Sequence, residues 1–164
     1  MKLHTLDSKI VELLKEGLQH EYSAHYLYRA ISNWATNVGY KIAGEYYAKE
    51  AEDELSHAQK IEAFLTDWNV FFVLPNVGIP IAKYEDLQEA IEKSYSTEYT
   101  LYELYEKISN EIFKMGDTCV FDFLQFFRGV QTMSIAEYAT MLNLLDGVER
   151  TKLNFLLLEE KLFE

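Results

Sequence analysis

A chain of 164 residues with 49% hydrophobic residues can bury a sizeable core and is too apolar to be disordered, while a formal net charge of −12 excludes the basic footprint of a nucleic-acid-binding protein and favours cations as partners. The single cysteine, Cys119, excludes a disulfide framework and a thiolate zinc cluster. MKLHTLDSKI lacks an apolar leader-like core and no run of about 18 apolar residues occurs, so a soluble cytoplasmic protein with no membrane partner is expected.

Only 7 Gly and 2 Pro interrupt the chain, which favours long helices over a turn-rich β fold. Apolar residues recurring at alternating three- and four-residue steps predict helix α1 over about 8–36, with Ile10, Leu13, Gly17, Glu21, Ala24, Tyr28, Ile31 and Ala35 in line. Helix α2 follows over about 40–67, with Ala43, Tyr47, Glu50, Glu54, His57, Ile61, Phe64 and Trp68 in line. The stretch over 68–85 is apolar, holds both prolines and is unusually long for a connection. Helix α3 is predicted over about 86–115, with Leu87, Ile91, Ser94, Glu98, Leu101, Tyr105, Ile108 and Ile112 in line. Helix α4 is predicted over about 118–145, with Val120, Leu124, Phe127, Gln131, Ser134, Tyr138, Met141 and Leu145 in line. Helix α5, over about 148–162, is apolar nearly all round at its centre, and is expected to bury itself between subunits.

Short connections make α1/α2 and α3/α4 antiparallel neighbours. The long one can run the length of the bundle and leave α2 and α3 parallel. One all-α domain follows, a four-helix bundle with a single crossover and a short fifth helix.

The informative residues are the polar ones on core lines: Glu21, Glu54, His57 and Glu98, each near the middle of its helix. Burying one unpaired carboxylate is costly, and burying three together adds mutual repulsion. A divalent cation resolves both problems. Glu54 and His57 stand one turn apart, offset by about 60° around the axis. Alone, such a pair is usually a surface neighbour pair. With Glu21 and Glu98 on two further helices, it forms most of the recurring di-iron carboxylate constellation.

Over nearly its whole length the chain resembles the bacterial non-haem ferritins. The likeness is carried by HEYSAHYLY, AEDELSHAQKIEAFLTD, SYSTEYTLY and FDFLQFFRGVQ. The resemblance implies a 24-mer shell that oxidises Fe2+ and stores ferric mineral. It implies that Glu21 and His57 ligate a first iron, that Glu54 bridges two irons and that Glu98 ligates the second. Gln131 would lie close by, and Tyr28 would hydrogen-bond near the site and donate an electron.

Helix α4 departs from the family pattern. Ser134 stands where a carboxylate usually serves the second iron. Asp53 matches one position of a third iron site, but Val130 and Met133 fill the others, so no third site is expected. Phe126 replaces a frequent Trp. Glu50 and Glu137, each one turn from a site position, are candidate substitutes for the missing acid, against the alternative that they face solvent. Asp117 and Asp122 open α4; Asp117 either lines a cation channel or caps the helix. His25 is expected to face solvent or a neighbouring chain, and His20 and His4 to stand alone. Two functions stay open: ferroxidase with storage, and a storage shell with little catalysis. Rubrerythrin-like, oxygenase-like and bacterioferritin readings need a second E-x-x-H, absent here. Haem is not expected, because α2 holds no Met.

Overall fold

A computed structural model describes residues 1–164 as five helices without strands: α1 Ser8–Val38, α2 Lys41–Asp67, α3 Leu87–Met115, α4 Thr118–Leu145 and α5 Lys152–Phe163. The helix boundaries follow local chemistry. Asp7 caps α1, its carboxylate accepting from the Lys9 amide at 2.8 Å. Gly39 ends α1 at φ 97, and the Tyr40 amide returns to the Ala35 carbonyl at 2.8 Å. Asp86 caps α3 through the Glu89 amide at 3.0 Å, and Glu89 reaches back to the Glu85 amide at 2.6 Å. Arg150 holds the same Asp86 through two bonds of 2.7 and 2.8 Å, tying the α4–α5 linker to the start of α3.

The crossover fixes the topology. Asn69 bonds the His4 carbonyl beside the start of α1, the Asn76 carbonyl accepts from Gln19 at its middle, and the Tyr84 ring lies 5.2 Å from Trp34 near its end. The connection therefore runs the length of α1, and α3 begins at the opposite end of the bundle from where α2 stopped. The chain is thus a four-helix bundle with one long crossover and a short C-terminal helix.

One continuous apolar core fills the bundle. The predicted lines are buried at most positions, including the outermost Ile10, Ala35, Leu87, Ile112, Val120 and Leu145. Leu14 and Leu65 are buried, whereas Leu13, Phe64 and Trp68 are only half-buried. Glu50 and Ser134 are likewise half-buried, where the core lines placed them inside.

Helix α5 divides its apolar residues between the chain's own core and the surface. Phe155, Leu162 and Phe163 are buried within the chain, mainly against α2, while Leu153, Leu156 and Leu157 remain exposed. It begins at Lys152 rather than near residue 148, because Gly147 adopts φ 74 and Thr151 provides the cap. Its buried Glu159 accepts from the Ala43 amide at 3.0 Å, at the one α-helix start in the bundle that lacks a local side-chain cap.

Candidate metal centre

Glu21 on α1 and Glu54 and His57 on α2 meet at mid-bundle. One ligand atom from each lies within 4.8 Å of the others. His57 Nδ1 is 3.4 Å from Glu54 Oε1 and 3.6 Å from Glu21 Oε2. All three residues are buried, and Glu21 Oε2, Glu54 Oε2 and His57 Nδ1 have no hydrogen-bond partner. Buried polar atoms are nearly always paired, so three unpartnered atoms on one tight cluster of residues mark a candidate place for a cation. Phe126 and Phe127 wall the site, with ring centroids 5.6 and 6.3 Å from that of His57.

The electrostatics follow from this crowding. Burial, then the charges of Glu21 and Glu98, pushes the Glu54 carboxyl well above the usual range. Burial pulls His57 down, but the neighbouring Glu21, Asp53 and Glu98 carboxylates outweigh it and leave the imidazole more basic than normal. Without a metal, protons must take its place; a divalent cation would displace them.

The α3/α4 side is built differently. Glu98 is fully buried, and both of its oxygens are engaged: the Tyr28 hydroxyl donates to Oε1, and Gln131 Nε2 donates to Oε2 at 2.6 Å. Burial raises the Glu98 carboxyl, and those two bonds pull against it. Glu98 is not part of the three-residue cluster. Gln131 leaves its own Oε1 unpartnered in the core.

A groove of about 590 Å³ between α2 and α4 opens onto the site. Glu50, Asp53, Glu54 and His57 line one wall, and Met133, Ser134 and Glu137 line the other. Burial, then the charges of Glu137 and Glu98, raises the Glu50 carboxyl to about 7. Glu137 is exposed and accepts from the Tyr46 hydroxyl at 3.0 Å.

The remaining candidates resolve singly. His25 is half-buried with Nδ1 against the Ala51 carbonyl, so its ring is held toward α2. His20 Nδ1 lies 3.0 Å from the Glu16 carbonyl, and the His4 ring packs edge-on to Trp68. Asp117 caps α4 through the Val120 amide at 3.0 Å; Asp122 and Glu52 are exposed. Tyr105 was read as core alone. Its buried hydroxyl donates to Glu21 Oε1, which leaves Oε2 free for the cluster, and its ring stacks on Phe127. It stands two turns beyond Glu98 on the same line, and a buried phenol requires a partner, so a signal was present.

Residues 11–148 match the family described as "Ferritin-like domain". A Haemophilus influenzae protein named "Probable bacterial non-heme ferritin-like protein" is 24% identical over 151 residues, covering 92% of this chain and 87% of that one. The "Bacterial non-heme ferritin" of Escherichia coli O6:H1 is 25% identical over 126 residues, covering 77% and 76%. Among solved structures, an open pore ferritin from the archaeon Archaeoglobus fulgidus superposes with a TM-score of 0.90 at 22% identity, covering 96% of each chain.

Proposed function

This chain belongs to the ferritin-like family, and from that membership we propose that it is an iron-storage ferritin subunit that oxidises Fe2+ inside its bundle and stores the ferric product in a 24-mer shell. The convergence of the buried Glu21, Glu54 and His57, each with an unpartnered polar atom, carries this reading. Two hard carboxylate donors and one imidazole suit Fe2+. The net charge of −12 favours cation uptake, and the second oxygen of Asp117 remains for cations at a channel mouth.

The second iron is taken on the groove side. Glu54 bridges toward it, Glu98 and Gln131 stand behind it, and Glu50 or Glu137 supplies the carboxylate that Ser134 lacks. Glu98 must release Tyr28 or Gln131 to coordinate, so this position binds more weakly than the first. Dioxygen or peroxide is the oxidant, and Tyr105 and Tyr28 orient Glu21 and Glu98.

Engagement of both Glu98 oxygens, together with Ser134, favours a second reading: a storage shell that oxidises iron slowly. Aerobic Fe2+ oxidation by the wild-type chain and by Glu54→Ala separates the two. A large loss of rate supports the ferroxidase, and equal rates leave storage alone.

A further inference from the structure

Helix α5 reaches the groove as well as the start of α2. Its buried residues Phe155, Glu159, Leu162 and Phe163 share one face. Glu159 accepts from the Ala43 amide at 3.0 Å. One turn further along both helices, the Phe163 ring lies 5.0 Å from that of Tyr46. Two attachments a turn apart fix the register of α5 against α2. Phe163 also lines the groove, beside Tyr46 and opposite Glu137.

The Tyr46 hydroxyl on α2 donates across the groove to Glu137 Oε1 on α4 at 3.0 Å. Three rings box the tyrosine: Tyr47 at 5.3 Å, Tyr138 at 6.4 Å and Phe163 at 5.0 Å. The first two belong to the bundle, and Phe163 is the wall that α5 supplies. Packing has already fixed the ring, so little side-chain freedom is lost when it holds a carboxylate. The same arrangement serves the buried cluster, where Tyr105 holds Glu21 by Oε1 and Oε2 stays unpartnered. Tyr46 holds Glu137 by Oε1 and leaves Oε2 for the groove. Glu54 lines that groove too and keeps its own Oε2 unpartnered. Glu98 differs, because both of its oxygens are engaged. A carboxylate oriented through one oxygen is prepared to give the other to a cation.

Resting on the groove-side iron of the reading above, we propose that Phe163 and Tyr46 are positioning residues for that metal: Phe163 seats the Tyr46 ring, Tyr46 orients Glu137, and Glu137 rather than Glu50 serves the second position. Neither aromatic residue touches the metal. The weaker of the two positions is thereby tied to the seating of α5, while Glu21, Glu54 and His57 hold theirs without it.

Anaerobic calorimetry with Co2+ on the assembled protein tests this, with thermal melts confirming that each variant folds. The wild-type chain should bind two Co2+, the tighter at Glu21, Glu54 and His57. Phe163→Ala and Tyr46→Phe should each weaken the looser event on the order of tenfold and leave the tighter within about twofold. Together they should cost no more than the larger single loss, because both act through Glu137. Phe163→Leu, which keeps an apolar side chain against the ring, should recover most of the affinity. Glu137→Gln should abolish the looser event. An unchanged looser event in any of Phe163→Ala, Tyr46→Phe and Glu137→Gln overturns the proposal. So do equal losses at both events, or losses that multiply in the double variant; in all these cases the groove-side iron still stands. A single Co2+ in the wild-type chain overturns the groove-side reading itself. The route from Phe163 to Glu137 is then read in metal-free crystals of Phe163→Ala. Loss of the Tyr46–Glu137 bond with α5 in place supports it, and a bond kept near 3.0 Å overturns it.

Discussion

The two sides of the candidate metal centre contain the same kinds of residue in opposite states. On the α1/α2 side, Glu21, Glu54 and His57 cluster and each keeps an unpartnered atom. On the α3/α4 side, Glu98 is as deeply buried, yet Tyr28 and Gln131 occupy both its oxygens. Burial therefore does not separate a ligand from a structural carboxylate; the free lone pair does. The first side is arranged for a cation and strained without one. The second is self-satisfied and must be opened.

Glu54→Ala should break the first side most severely. Loss of a direct ligand should weaken Fe2+ binding by on the order of a hundredfold or more, measured by calorimetry under anaerobic conditions, since even supporting residues commonly cost 10–100-fold. If Glu98→Ala weakens the first binding event as much, the asymmetry between the sides is wrong.

A pH series sharpens the comparison at the groove. The Glu50 carboxyl titrates near 4.5 in an unfolded chain and near 7 in the fold. Between those values the folded state holds a proton that the unfolded state has released, so metal-free stability should fall as pH rises through that window. The contribution should be on the order of 1–2 kcal/mol after solvent screening of a half-buried group. Denaturant melts of Glu50→Gln should show a flatter slope over the same window.

Tyr105→Phe frees Glu21 Oε1 and loosens the carboxylate that faces the metal. It should weaken the first Fe2+ by about tenfold with little change in fold. Smallest of all should be Ser134→Glu, which restores a carboxylate to the second side. A two- to threefold gain in initial oxidation rate, roughly, is expected, with a second iron peak in an anomalous-scattering map of Fe2+-soaked crystals.

Much of this centre was legible in the sequence. A glutamate on a core line is conspicuous because nothing apolar explains it, and Glu21, Glu54, His57 and Glu98 were all found this way. Single positions were less legible: the inward place belongs to Leu14 beside Leu13 and to Leu65 beside Phe64, although the line ends Ile10, Leu87 and Leu145 are buried as expected. Pairing was the least legible. Whether a phenol reaches a carboxylate depends on how far one helix is rotated against another. Spacing placed Tyr105 inside without revealing that it holds Glu21, and it left His25 facing outward when a carbonyl on α2 claims it.

The bond from Ala43 to Glu159 has a thermodynamic meaning. Helix α2 carries Glu54 and His57 but has no cap of its own, so a residue more than a hundred positions later supplies it. Any contact that holds α5 in place, including one that covers Leu153, Leu156 and Leu157, also stabilises the first turn of the helix that carries Glu54 and His57. Association at the surface and order at the centre are thus linked quantities, and dilution of an assembly would be felt as fraying two turns from Glu50.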